Sequence, residues 1–157
     1  MQNLTVIALC VILAVVMSSC NDKFPLKINW DGLKGTQWKL EYIVDMSGGS
    51  YEKLILAPQD CDTCYTLTFD AEKKWYISGV SILNTLSIEF SILLSSSADM
   101  DISVTDMDEP FDGNLYCSLI RSVTGINTDV KNSLILFIKN KDTGSNSYIL
   151  IYKRLNP

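Results

Sequence analysis

The chain has no histidine among its 157 residues. That absence excludes Ser-His-Asp and Cys-His nucleophilic sites, the usual zinc ligand sets and the commonest general base. Positive charge is also scarce: 13 Lys and Arg stand against 18 Asp and Glu, a net charge of -5. An acidic chain argues against nucleic acid as a partner and against adsorption to anionic lipid. No internal repeat and no low-complexity segment is present, and no apolar run reaches the ~20 residues that a spanning helix needs. Carboxylate-only or tyrosine chemistry survives these exclusions, but no residue pattern marks either.

What is present begins with an address. Leu4 to Met17 is almost unbroken apolar, Ser18 and Ser19 follow, and beyond Cys20 the chain turns polar at Asn21-Asp22-Lys23. A run of roughly 14 apolar residues has the length of a signal-peptide core. Small residues ahead of Cys20 suit a peptidase pocket that accepts only short side chains. Met17-Ser18-Ser19-Cys20 resembles a bacterial lipobox, with Met17 where the stricter pattern places Leu. The n-region Met1-Gln2-Asn3 carries no Lys or Arg. Residues 1–19 therefore read as a lipoprotein signal and Cys20 as the lipidated residue. A diacylglyceryl group on Cys20, with a third acyl chain such as palmitate on its amine, supplies the multiple chains that stable anchoring requires. The bland alternative is an ordinary secretory signal that ends near a cysteine.

Residues 20–35 form a short polar stretch with Pro25, Asp31-Gly32 and Gly35, read as a tether from lipid to domain, with packing of Asn29-Trp30 and Leu33 back on the domain as the alternative to a fully free tether. Residues 36–157 are read as one domain with a sizeable core. From Thr36 the pattern is period two: Trp38, Leu40, Tyr42 and Val44 alternate with Gln37, Lys39 and Glu41, which predicts a half-buried strand. Ser47-Gly48-Gly49 ends it. Tyr65, Leu67 and Phe69, the turn Asp70-Ala71-Glu72-Lys73, then Trp75 and Ile77 predict a hairpin. Leu86, Ile88, Phe90, Ile92 and Leu94 recur on one face of a longer strand. Ile102 and Val104 predict a weaker, acid-flanked strand.

The period then changes. Leu115, Tyr116, Leu119, Ile120 and Val123 form one stripe of a short helix, with Asp112 as candidate N-cap and Gly125 as terminator. Leu134 to Ile138 and Tyr148 to Tyr152 are nearly continuously apolar arms of a last hairpin, expected to lie centrally and covered on both faces. The expected fold is mainly β, a small antiparallel barrel of about eight strands with one short helix.

Gly35-Thr36-Gln37-Trp38-Lys39-Leu40 and the run Pro58-Gln59-Asp60-Cys61-Asp62-Thr63-Cys64-Tyr65-Thr66-Leu67-Thr68-Phe69-Asp70 carry a family likeness. Asp112-Gly113-Asn114-Leu115-Tyr116, Ser122-Val123 and Ser147-Tyr148-Ile149-Leu150-Ile151-Tyr152 extend it. The chain resembles small lipoproteins of Gram-negative gut anaerobes related to the META/HslJ-like domain. Cys-x-x-Cys-Tyr-Thr-Leu-Thr-Phe is the distinctive part of this resemblance, which spans most of residues 36–157. The segment Ser78 to Ser97 is more apolar than that family's pattern. The resemblance implies a small β-barrel with a helix and a secreted, lipid-anchored life. It implies no defined activity.

Cys61-x-x-Cys64 is the first candidate for chemistry. A redox pair normally opens a helix, whose N-terminus stabilises the thiolate. Here a strand pattern follows, and Pro58 lies ahead of the pair. Cys61, Cys64 and Cys117 make three zinc ligands with no histidine to complete a site. The pair reads first as structural, a possible disulfide or two reduced thiols, with metal and redox roles behind. The acidic run Asp99, Asp101, Asp106, Asp108, Glu109 and Asp112 could hold calcium, but its spacing matches no EF-hand loop. A solvated sheet edge is the plainer reading. Among the aromatics Trp30, Trp38, Trp75, Tyr42, Tyr51, Tyr76 and Tyr116, Trp38 reads as core. Trp30, Tyr51 and Tyr76 are the candidate binding surface, for a protein or glycan.

The leading expectation is thus a non-enzymatic interaction or structural module in the cell envelope. It is an outer-membrane lipoprotein, periplasmic or surface-facing, held by lipid on Cys20, with no cofactor and no metal. The alternative is a lipocalin-like carrier of a small apolar ligand, whose open mouth Trp75, Ile88 and Phe90 would line. A glycosidase-like enzyme would need two opposed carboxylates, whereas the acids here gather in one stretch.

Overall fold

The computed structural model describes residues 30–92, 98–128, 132–139 and 145–155. Cys20, the signal, the tether up to Asn29 and Leu94 lie outside the described residues. Within them the chain forms α1 (Trp30–Leu33), β1 (Gln37–Asp45), β2 (Glu52–Leu54), β3 (Thr66–Phe69), β4 (Tyr76–Val80), β5 (Thr85–Ile92) and β6 (Ala98–Val104). α2 (Gly113–Arg121), β7 (Gly125–Asn127), β8 (Ser133–Lys139) and β9 (Asn146–Arg154) complete it. All the strands join one antiparallel sheet in the order β6-β5-β4-β3-β1-β9-β8-β7, with β2 beside β1. The sheet curls into a barrel-like half-shell, and both helices pack inside it.

Alternation explains the concave face. Leu67 and Phe69, Ile77, and Leu86, Ile88 and Phe90 all point inward and are buried. The outward row Thr68, Ser78, Ser87 and Ser103 is in register across four strands and small and polar. Gly79 sits between Leu67 and Leu86 in the ladder, where a Cβ would come within 2.8 Å of both side chains. β8 and β9 lie inside the strand order and are buried on both faces, which suits their continuous apolar runs.

Four expectations need correction. β1 does not keep one alternation: Leu40 faces Tyr152 while Tyr42 faces Ile151, so Glu41 is an extra, unpaired residue. This bulge flips the phase, because one inserted residue exchanges the two faces of a strand. Trp38, Leu40 and Ile43 join the main core, whereas Val44 packs outward with Ile135, Phe137, Ile149 and Ile151, and Tyr42 packs against that cluster. The helix buries Tyr116, Leu119 and Ile120 but leaves Leu115 exposed. Gly125 does not terminate it: Ser122 and Val123 N–H groups bond back to Leu119 and Ile120 carbonyls, and Gly125 opens β7. Asp112 precedes the helix without a side-chain cap bond. At the end of the tether stretch a turn of helix, Trp30–Leu33, packs Trp30 and Leu33 back into the core, the alternative that the tether reading left open.

Candidate functional site

The barrel end beside α2 is organised by one carboxylate. The loop Ser81 to Asn84 joins β4 to β5, and the segment Thr105 to Asp112 joins β6 to α2. Glu109 reaches from the second into the first. It accepts from the Ser81 hydroxyl, from the backbone N–H groups of Ile82, Leu83 and Asn84, and from Asn84 Nδ2 at 2.7 Å. Asn84 is itself fixed: its Nδ2 donates to the Met107 carbonyl, and its Oδ1 accepts from Met107 N–H, both at 2.8 Å. Glu109 N–H donates to Asn114 Oδ1 (3.1 Å) on the first turn of α2. Burial alone would raise the Glu109 carboxyl pKa, but the surrounding donors outweigh it and hold the group below its ordinary value. Glu109 is therefore not part of a solvated acidic edge. It is a buried clamp, and sequence reading missed it because nothing in an acidic run distinguishes one carboxylate from its neighbours.

The clamp presents apolar surface. Leu83 and Met107, each tied to the network by its backbone, are about half exposed. Phe111 is 73% exposed, and Leu115 emerges one turn further along. Phe111 has φ +51°, a left-handed conformation that a bulky side chain rarely adopts. Asp106 and Asp108 flank the patch; Arg121 pairs with Asp106 at 3.4 Å, and Asn114 Nδ2 donates to Asp108. Large apolar groups with a charged rim have the make-up of an interaction surface.

The residues expected to form a binding face do not come together. Trp30 is 2% exposed, in contact with Phe69, Trp75 and Phe90 at ring separations of 5.3 to 6.5 Å. As a surface residue Trp30 is thus a correction: its helical turn lies inside the shell. Tyr51 is exposed beside the Asp45 end of β1, and Tyr76 is half-buried near the Gln37 end, beneath the Lys73 ammonium. They stand nearly the length of that nine-residue strand apart, about 25 Å. Trp75, Ile88 and Phe90, which would line an open mouth, pack with Trp30 instead.

Cys61 and Cys64 form a disulfide with Cα atoms 5.5 Å apart. The loop it closes turns its carbonyls toward β1, where Lys39 Nζ donates to Cys61 O and Cys64 O. Cys117 stays a free thiol on α2, buried 3.7 Å from Glu109, and that burial raises its pKa. Among the described residues no His, Cys, Asp and Glu cluster could hold a metal ion. Of the acidic run, Asp101, Asp106 and Asp108 are exposed, while Asp112 Oδ2 accepts from Ala57 N–H at 2.7 Å. None of the described helices is long and apolar enough to cross a membrane.

No protein-family model matches the chain, and no curated protein matches it in sequence. In solved structures it is similar to a protein from Burkholderia xenovorans determined by NMR. That likeness has TM-score 0.56 and 17% identity, covering 89% of this chain and 94% of the other. It supports the fold alone.

Proposed function

We propose that this protein is a non-enzymatic, lipid-anchored interaction module of the cell envelope, related to META/HslJ-like lipoproteins. The apolar run ending at Met17-Ser18-Ser19-Cys20 supports the anchor. The observation that carries the interaction reading is the exposed side chains of Leu83, Met107, Phe111 and Leu115 on the segments that Glu109 and Asn84 tie together, with Leu83 N–H held by Glu109 and Met107 N–H by Asn84. A rigid platform lowers the ordering cost of binding, and exposed apolar side chains supply contact area. The acidic flank favours a protein partner with a basic rim over an anionic membrane surface.

Two measurements test this. In a bacterial host fed labelled fatty acid, the wild type should carry label and sediment with membranes, and Cys20→Ala should lose both. Equal labelling of the variant would remove the anchor. A photo-crosslinking residue at Leu115 should give one discrete adduct in the envelope, and the same residue at Ser87, on the polar outer row, should not. Indistinguishable patterns at the two positions would count against the apolar end as an interface.

A further inference from the structure

β1 is shared along one edge. Its C-terminal part pairs with β2, from Ile43↔Leu54 to Asp45↔Glu52, and its N-terminal part with β3, from Gln37↔Thr68 to Lys39↔Thr66. Between them the chain leaves the ladder, through Pro58 and the Cys61–Cys64 loop, and returns at Tyr65, whose carbonyl accepts from Leu40 N–H. On the opposite edge β1 bulges at Glu41. Beside the detour and the bulge lies a surface cleft of about 450 Å³, within the volume range of small-ligand sites.

Its charge runs against the rest of the molecule. The chain carries a net -5, yet the described cleft lining holds Lys39, Lys153 and Arg154 against a single acid, Glu41. Lys39 and Lys153 stand directly opposite each other in the β1–β9 register. Like charges in that relation are unfavourable unless something offsets them. The Lys39 ammonium is held by two carbonyls of the disulfide loop, which leaves one of its three N–H groups uncommitted. Burial favours loss of its proton and the Asp62 carboxylate opposes that loss; a bound anion would act in the same direction as Asp62. Arg154 stands opposite the core residue Trp38, so its side chain lies on the other face of β9 from Lys153.

The remaining walls are apolar. Ile55 and Leu155, two of the large hydrophobic side chains left exposed, both line this cleft, and Leu56 and Pro58 adjoin them. Cations that outnumber the one acid of the cleft lining, beside exposed aliphatic walls, describe a ligand with an anionic head and an apolar body. We propose that the cleft binds a small amphipathic carboxylate, its head at Lys39 and Lys153 and its body along Ile55, Pro58 and Leu155.

The test is equilibrium dialysis of labelled octanoate against the full chain in nanodiscs of neutral lipid, with empty discs as the blank. Octan-1-ol and acetate serve as the head-less and body-less probes. Saturable octanoate binding is expected, with a dissociation constant below about 1 mM and at least about tenfold tighter than for either other probe. Lys153 is exposed, so Lys153→Glu should fold and weaken octanoate by about tenfold or more. Lys74→Glu, the same charge change in the turn before β4, should leave it unchanged. Absence of saturable binding, equal binding of octan-1-ol or acetate, or equal loss in the two variants would overturn the proposal.

Discussion

The hydroxyls of Tyr116 and Tyr152 meet 2.9 Å apart with both rings fully buried. One phenol comes from α2 and the other from the central strand β9, so this bond fastens the helix to the sheet. Burial pushes both phenol pKa values up, which keeps the pair neutral. Removing either oxygen strands the other in the core, and a buried unsatisfied hydroxyl costs about 1–3 kcal/mol. Tyr116→Phe and Tyr152→Phe should each lower urea stability by an amount in that range. The double variant should lose clearly less than the sum of the two. Strict additivity would mean that the hydroxyls are not coupled.

Glu109 should make stability depend on acid. Its folded pKa lies below the ordinary value, because donated hydrogen bonds outweigh desolvation. A carboxylate of that kind adds stability above its unfolded pKa of about 4.3 and loses it as pH falls through the folded value. Unfolding free energy of the wild type should therefore drop below about pH 4.5, and part of that drop should vanish in Glu109→Gln. At pH 7 the variant should be weaker by about 2–4 kcal/mol, since an amide cannot accept from all the donors. Gly113→Ala should also destabilise, because the new methyl would lie 2.5 Å from Glu109 Oε2. Identical pH profiles for wild type and Glu109→Gln would sink this account of the clamp.

Much of the fold is legible because periodicity survives wherever strands are regular. Leu86, Ile88 and Phe90 face the core as their spacing predicts, and β8 and β9 are covered on both faces as their unbroken apolar runs predict, although β8 lies next to the short edge strand β7 rather than centrally. Reading stops where a local irregularity changes the phase. The bulge at Glu41 carries Tyr42 and Val44 to the outer cluster, and no residue type at that position announces it. Trp30, on a short polar stretch with no period, reads almost equally as core or as part of a binding face, and one helical turn places it against three other aromatic rings. β7 is three residues long and too short to show a period. The barrel-end patch and the Lys39–Lys153 relation depend on contacts between residues far apart in the chain, which spacing alone does not encode.

The Cys61–Cys64 disulfide should act on stability rather than on turnover. It closes a short loop, for which the chain-entropy argument gives about 2 kcal/mol, within a working range of 1–3. Cys64→Ser should lower the urea midpoint by that measure, and reductant should bring the wild type to the same midpoint. If the variant matches the oxidised wild type, the bond contributes nothing to folding.

Phe111 separates stability from binding. Its backbone sits at φ +51°, where an L side chain costs about 1–2 kcal/mol and glycine costs little. Its ring is 73% exposed, so it returns little of that through packing. Phe111→Gly should therefore raise unfolding free energy by about 0.5–1 kcal/mol, while Phe111→Ala, with the strain retained, should leave it nearly unchanged. Both variants should weaken the adduct captured by a crosslinker at Leu115, because both remove the most exposed apolar side chain of the patch. A stabilising substitution that costs binding is the pattern expected where a strained residue is kept for contact. If Phe111→Gly instead unfolds the domain more easily and the Leu115 adduct is undiminished, the ring serves the fold, and the interface must be sought elsewhere on the barrel.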